Sequence, residues 1–132
     1  MSQATDVKKD RRYTKDHEWA ITKDGNVVVG ITAFAVDQLG DVTLINWDVA
    51  AGDRVETGQV FGTIESVKSV SDLYAPISGR VVSINPALKD SPEDVNSDPY
   101  NKGWMIELEA NDKGEIEELM DATAYTAHVA AQ

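Results

Sequence analysis

Gly62-Thr-Ile-Glu-Ser-Val-Lys-Ser-Val-Ser-Asp-Leu-Tyr-Ala-Pro-Ile-Ser-Gly79 consists of two β-rich runs that meet near Lys68. Ser66 and Ser69 flank the lysine, and Val67 and Val70 offer apolar anchors beside it. Working outward, the same texture continues on both sides. Val42–Trp47, Arg54–Glu56, Gln59–Glu65, Val67–Tyr74, Gly79–Ile84 and Trp104–Glu109 are short and rich in β-formers, and Gly52, Gly58, Pro76, Gly79, Pro86, Pro92, Pro99 and Gly103 separate them. Many short strands with frequent turn residues predict an antiparallel sandwich or small barrel, not a parallel α/β sheet. Gly58-Gln-Val-Phe-Gly62 reads as a bulge or bend between strands. Ala51-Gly-Asp-Arg-Val55 and Ile77-Ser-Gly-Arg-Val81 share a Gly and Arg-Val pattern on either side of Lys68, as two hairpin halves related by approximate symmetry would.

Helical signals are confined to the flanks. Thr32 is a candidate N-cap and Gly40 a C-terminal stop for one or two turns over Thr32–Leu39. Before them, Lys23-Asp-Gly-Asn26 is a turn signal leading into the strand Val27–Ile31. Near the end, Ile116, Leu119 and Met120 fall at i, i+3 and i+4, and Asp121 is placed to cap a last segment reaching Val129. Residues 1–12 lack apolar periodicity and read as a flexible lead-in, leaving 13–132 as one domain.

The 132 residues are 42% hydrophobic and 27% charged, which suits a single globular domain. Cysteine is absent, which removes thiol nucleophiles, Cys-based zinc sites and disulfides. No apolar run reaches the length of a membrane-spanning helix and the start lacks the pattern of a secretion signal, so a cytoplasmic location is expected. The formal net charge is −11, and five of the twelve bases lie in the first fifteen residues. Residues 16–132 therefore carry seven bases against twenty-one acids. Such a surface repels phosphate backbones, excludes nucleic acid as a natural partner, disfavours self-association and favours proteins with basic docking faces.

Catalytic constellations are scarce. There is no G-x-S-x-G elbow, Walker A motif or dinucleotide fingerprint. Asp90-Ser-Pro-Glu-Asp94 fails as a calcium loop, with Pro92 at a ligand position and Val95 in place of the turn glycine. Asp16-His-Glu-Trp19 offers His17 and Glu18 as a ligand or acid/base pair, against the plainer reading of an edge histidine beside a core-anchoring Trp19. His128 reads as a surface residue. Lys68 differs from an ordinary solvated lysine in its setting, isolated in sequence from other bases at the apex of a hairpin on an acidic domain. An exposed amine on a rigid tip suits covalent attachment of a group that must swing between partners.

The segment Glu65–Gly79 resembles the lipoyl-attachment segment of the glycine cleavage H-protein family. The likeness continues in the same order through Tyr13-Thr14, His17-Glu-Trp19, Val29-Gly-Ile-Thr32, Leu39-Gly-Asp-Val42, Val95-Asn-Ser-Asp-Pro-Tyr100, Gly103-Trp-Met-Ile106 and Met120-Asp-Ala-Thr-Ala-Tyr125. The resemblance implies a barrel-sandwich hybrid of two small antiparallel sheets, lipoyl/biotinyl-like, with a short N-terminal helical turn and C-terminal helices. It implies lipoic acid in amide linkage on Lys68, in a carrier that is a substrate of its partners and not an enzyme. Those partners would be a lipoylating enzyme, a pyridoxal-phosphate glycine decarboxylase, a tetrahydrofolate-dependent aminomethyltransferase and an FAD-containing dihydrolipoyl dehydrogenase. The lysine and lipoyl chain, at about 1.5 Å per bond, form an arm of about a dozen Å or more.

By the same resemblance, Glu65 is the position read during lipoylation, and Glu18 and Asp72 line the cleft that receives the loaded arm. Each has a plainer alternative: an exposed strand carboxylate for Glu65, a strand-edge carboxylate for Glu18 and a turn cap for Asp72. A biotin site would show Met-Lys-Met where this chain has Val67-Lys-Ser69. The segment Leu44–Gly52 departs from the family pattern, and the interval from Asp41 is one residue longer than expected, which predicts a bulge or reshaped loop. An H-like lipoyl carrier serving sulfur oxidation or lipoyl relay is the alternative that this departure keeps open.

Overall fold

The computed structural model describes residues 7–131. It is dominated by antiparallel strands in two sheets. Strands β1 (Arg12–Tyr13), β2 (Glu18–Lys23), β3 (Asn26–Ile31), β5 (Arg54–Val55), β8 (Gly79–Ile84) and β9 (Ile106–Ala110) form one sheet in the order β1-β2-β3-β9-β8-β5. Strands β4 (Val42–Trp47), β6 (Val60–Ser66) and β7 (Val70–Tyr74) form the other, in the order β4-β6-β7. The all-β architecture expected from glycine-punctuated short runs is the one found.

Local chemistry accounts for the connections. Asp24 and Gly25 both adopt positive φ, at 54° and 84°, which makes the tight β2–β3 hairpin that the turn signal predicts. Helix α1 (Ala33–Leu39) starts at Thr32, whose hydroxyl accepts from the Ala35 N–H at 3.2 Å, and stops at Gly40 with φ 76°. The two Gly/Arg-Val copies pair with each other: Arg54 stands opposite Arg80 and Val55 opposite Gly79. Their backbones are also joined beyond the strand, Gly52 N–H donating to Val81 O and Val81 N–H to Asp53 O. In the Gly58–Gly62 stretch, β6 shifts register between Val60 and Gly62, so a bulge does sit there. A side chain at Gly62 would collide with the backbone carbonyl of Asn46 on β4. A second bulge, between Val42 and Leu44, lies in the lengthened interval after Asp41.

Alternate residues of the strands, including Val29, Ile45, Ile64, Leu73, Val81, Ile106 and Leu108, fill the principal core between the sheets. A second cluster is aromatic. Tyr13, Trp19, Ala33, Tyr100 and Tyr125 pack together, with the Tyr13 and Tyr125 rings stacked at 4.4 Å. Tyr125 comes from the C-terminal helix α4 (Ala122–Ala130), capped by Asp121, whose Oδ1 accepts from the Ala124 N–H at 2.9 Å. Glu115–Glu118 form a single 3-10 turn, and Ile116 and Leu119 reach the principal core.

Several expectations need correction. The run Val67–Tyr74 is a strand only from Val70, because residues 66–69 form the turn. Val67 and Val70 are not anchors: both are exposed, since this end of the hairpin projects past the core. Packing also starts before Tyr13. The Arg11 guanidinium lies over the Trp19 and Tyr100 rings at 4.7 and 5.2 Å, and Arg11 Nη1 donates to Tyr100 O at 3.0 Å. Residues 1–6 of the lead-in lie outside the described residues. The two short helices α2 (Ala87–Asp90) and α3 (Asp94–Ser97) were not anticipated, because four-residue helices carry no readable period.

Candidate functional site: the Lys68 hairpin and an acidic cleft

The β6–β7 hairpin is held rigidly up to its tip. Ser66 N–H donates to Ser69 O at 2.8 Å, and the Ser66 hydroxyl oxygen accepts from the N–H groups of Lys68 and Ser69, both at 3.2 Å. The Ser66 side chain and the Ser69 backbone thus knit a turn whose backbone donors are partly satisfied within it. A further bond, Val67 N–H to Asp41 O at 3.0 Å, ties the turn to the α1–β4 junction. That junction is clamped in turn by Asn96 of α3: Asn96 Oδ1 accepts from Val42 N–H at 2.8 Å, and Asn96 Nδ2 donates to Gly40 O at 2.9 Å.

Lys68 is exposed, and its stem runs across Gly40. A Cβ at Gly40 would stand 3.4 Å from Lys68 Cε and 3.7 Å from a methyl of Val67, on a backbone whose φ of 76° already favours glycine. These are ordinary van der Waals distances, so it is the positive φ that calls for glycine here, where α1 ends beside the lysine stem. Sequence reasoning found the helix stop and missed that the lysine stem lies against it. Asn96 was also missed, although it lies within the quoted Val95–Tyr100 motif.

A cleft of about 250 Å³ opens beside α1, between it, the start of β2 and β7. Its walls include Phe34, Leu39, Ile64 and Leu73, and its polar lining includes Asp16, His17, Glu18, Gln38 and Asp72. Leu39 precedes Gly40, so Lys68 is attached next to one wall of the cleft. The structure thus brings Glu18 and Asp72 to one cavity, while Glu65 stands on β6 outside it, three residues before the lysine.

Glu18 is not a strand-edge carboxylate. It is 2% exposed, with Oε1 accepting from the Thr14 hydroxyl at 2.6 Å and Oε2 from Tyr74 N–H at 3.3 Å. Burial pushes its carboxyl up to about 7, against the lowering effect of those two hydrogen bonds. Asp72 is exposed in mid-strand, opposite Thr63, and caps no turn. Glu65 is half-buried between strand neighbours Leu44 and Val70.

His17 adopts φ 71°, which turns its ring toward α4. Nδ1 lies 2.8 Å from the Tyr125 hydroxyl, which is 2.7 Å from the Thr32 hydroxyl, and the ring packs against Phe34 at 4.6 Å. The imidazole is therefore a strut between the C-terminal helix and the N-cap of α1. Among the described residues no group of three or more His, Cys, Asp or Glu is placed to hold a metal ion. His128 is half-buried, with Nε2 3.1 Å from Lys15 O in an exposed contact. Trp19 anchors as expected, donating from Nε1 to Pro99 O at 3.0 Å. No helix among the described residues is long and apolar enough to cross a membrane.

Comparison with known proteins gives a uniform result. The family model for the glycine cleavage H-protein matches residues 11–132. The chain is 52% identical over 128 residues to the glycine cleavage system H protein of Anaeromyxobacter sp. strain K, covering 96% of this chain and 98% of that protein. It is 51% identical over 125 residues to the probable glycine cleavage system H protein of Natronomonas pharaonis, covering 95% and 98%. Among solved structures, the crystal structure of a glycine cleavage system H protein from Mycobacterium marinum superposes with a TM-score of 0.82 at 39% identity, covering 92% of this chain and 97% of that one. The described fold is that barrel-sandwich hybrid.

Proposed function

The chain belongs to the glycine cleavage H-protein family, and from that premise we propose that Lys68 carries lipoic acid in amide linkage and that the protein shuttles the aminomethyl group of glycine. Family membership supports a lipoyl carrier role and implies partner enzymes of the glycine cleavage system. The finer assignment is ours: a pyridoxal-phosphate decarboxylase, a tetrahydrofolate-dependent aminomethyltransferase, an FAD dihydrolipoyl dehydrogenase and a lipoylating enzyme act on this chain. The chain itself is their substrate and catalyses nothing, works as a monomer and resides in the cytoplasm.

The observation that carries this reading is the exposed Lys68 amine on a hairpin tip fixed by Ser66, Asp41 and Asn96. An amine on a backbone fixed in this way fits an amide-linked acyl arm, because the backbone of the tip need not be ordered at each encounter. When attached, lipoic acid supplies a redox-active dithiolane able to bear a one-carbon unit. The chain's own residues do the rest. Asp16, Glu18 and Asp72 give the cleft a negative lining that attracts a protonated amine, while Phe34, Leu39 and Ile64 supply apolar wall for an alkyl chain. An ammonium entering beside Glu18 favours its ionised form and pulls the carboxyl back toward the ordinary range. The tether keeps the carried group at high effective concentration near each partner.

The test is intact and peptide mass spectrometry after incubating the full chain with lipoate ligase, lipoate and ATP. We expect one lipoyl group on the peptide holding Lys68, and none on Lys68→Arg, which keeps charge and fold. An unmodified Lys68, or a Lys68→Arg protein that still supports glycine–bicarbonate exchange by the decarboxylase, overturns the reading.

A further inference from the structure

Tyr125 lies on α4 near the end of the chain, is fully buried, and stands outside the cleft, yet its hydroxyl connects the two walls of that cleft. The phenol oxygen is 2.8 Å from His17 Nδ1 and 2.7 Å from the Thr32 hydroxyl. His17 stands just before β2 and lines the cleft on one side. Thr32 caps α1, whose Phe34, Gln38 and Leu39 line the other. A phenol buried this deeply has no water to turn to, so both contacts last as long as the fold does. The ring that carries the hydroxyl is fixed independently of the cleft. It stacks on Tyr13 at 4.4 Å with the two planes 10° apart, and Tyr13 is joined to the residue before the Asp121 cap, Met120 O accepting from Tyr13 N–H at 2.8 Å and Tyr13 O from Met120 N–H at 3.0 Å.

We propose that Tyr125 is a positioning residue of the carrier: its hydroxyl pins the His17 ring to the N-cap of α1 and so keeps closed one end of the cleft in which the loaded arm rests. The inference rests on the reading of the cleft as the seat of that arm. Main-chain bonding alone does not do this. Thr32 N–H donates to His17 O at 3.0 Å, which fixes the spacing of the two backbones without orienting the imidazole. What orients the ring is the contact of Nδ1 with Tyr125, together with packing against Phe34 at 4.6 Å. Without the hydroxyl, Nδ1 faces the edge of an apolar ring, and a half-buried imidazole recovers that hydrogen bond by turning toward water. The open side of His17 is the cleft, since the rings of Tyr125 and His128 pack on it at 5.7 and 5.6 Å. Such a turn also takes from Phe34 the ring it packs against on the cleft wall.

The consequence is a leak of the carried group. An aminomethyl group held on sulfur is lost when one water supplies its oxygen to the methylene carbon. The C–S and C–N bonds break, and the products are the thiol, formaldehyde and ammonium, with no oxidant or reductant required. A cleft closed over the methylene keeps water from it, so a loosened wall raises the rate of this loss. A general loss of stability does not, because a chain that remains folded presents the same cleft after its stability falls by one hydrogen bond. Tyr13 supplies the matched control. Its ring is the other half of the stack and equally buried, and its hydroxyl donates to Lys8 O, outside the cleft.

The experiment compares the full-length chain with Tyr125→Phe and Tyr13→Phe. All three are lipoylated to completion, checked by intact mass, and loaded from glycine by the pyridoxal-phosphate decarboxylase. That enzyme is then removed and ammonia release is followed without tetrahydrofolate. Tyr125→Phe should release ammonia at least about 5-fold faster than wild type, in keeping with one hydrogen bond, and Tyr13→Phe should stay within about twofold of it. The ring 15N resonances of His17 should move in Tyr125→Phe and hold in Tyr13→Phe, a signature that general softening does not produce. Equal acceleration in the two variants assigns the effect to the packing of the stack and overturns the inference. So does a loaded Tyr125→Phe chain that keeps its group as wild type does, and in that case the carrier reading stands. A Tyr125→Phe chain that no longer melts cooperatively, while Tyr13→Phe does, makes the hydroxyl part of the fold and not of the cleft. A wild-type chain that takes up no lipoyl group, or no amine from glycine, overturns the carrier reading and this inference with it.

Discussion

At one end of the molecule Tyr13, Trp19, Tyr100 and Tyr125 are sealed against each other, their polar atoms bonded to the backbone or, for Tyr125, to the side chains of His17 and Thr32. At the other, Leu44, Val67 and Val70 face solvent around an exposed lysine. Both ends are built on antiparallel strand pairs, so strand pairing alone does not explain the difference. What separates them is what covers the strands. The β1–β2 end is closed by α4 and by the segment from Val7 to Arg11, whereas the β6–β7 tip is held by hydrogen bonds of its own turn and by Val67 N–H to Asp41 O at the α1–β4 junction that Asn96 clamps. Stability is concentrated where the large aromatics are, and access is concentrated where they are not.

That contrast breaks most visibly under truncation. Trp19→Ala removes the largest buried side chain and the bond to Pro99 O, and should cost about 3–5 kcal/mol in chemical denaturation. Val70→Ala, on a strand of the opposite sheet, should stay within about 0.5 kcal/mol. Comparable losses at the two positions would mean that the exposed Val70 is a hidden part of the core. Gly30 reinforces the expectation, since a Cβ there would run into the Trp19 indole and the ring has no space to yield.

Glu18 joins the two ends, since it leaves the sealed sheet at the start of β2 and lines the open cleft. Burial raises its carboxyl in the folded chain from 4.5 to about 7. Between those values the folded protein holds a proton that the unfolded chain has released, so stability falls as pH rises. The contribution is complete below pH 4.5, shrinks through the window up to about 7 and is gone above it. A displacement of this size corresponds to about 3 kcal/mol. Urea melts of wild type and Glu18→Gln at pH 5 and 8 isolate it: the wild-type decline across that range should exceed the variant's. Equal declines would show that Glu18 titrates as a solvated carboxylate and that the cleft is wet to its base. A cationic ligand in the cleft should reduce the wild-type decline by favouring the ionised form.

Much of this architecture was legible from the residues. Thr32, Gly40, Asp121 and the Asp24-Gly25 turn act through local backbone chemistry, and each was readable because a cap or a positive φ demands a particular residue type. The lysine tip was readable through its serines and its spacing from other bases. Illegible were the features that depend on which strands become neighbours. Nothing near Val67 or Val70 says that the hairpin outruns the core, and their composition matches that of a buried strand. Glu18 reads as polar, and only the closure of Thr14 and Tyr74 over it makes it a buried acid. His17 reads as a ligand or an edge residue until α4 brings Tyr125 across more than a hundred positions.

Asn96 is the finest probe of how the two ends communicate. Its amide spans the α1–β4 junction, accepting from Val42 N–H and donating to Gly40 O, and the next backbone group along, Asp41 O, holds Val67 in the lysine turn. Asn96→Ala leaves a backbone donor and an acceptor without this partner at a half-buried site, and should cost about 1–2 kcal/mol. The informative result lies in where that loss appears. If the clamp positions the tip, hydrogen exchange at Val67, Lys68 and Ser69 should accelerate along with that at Val42, while amides of β2 and α4 keep their protection. Uniform acceleration across the chain would instead assign Asn96 to global stability. A variant that exchanges faster only at Val42 would show that the serines alone suffice to fix the lysine, and that the sealed end of the molecule has no hold on the open one.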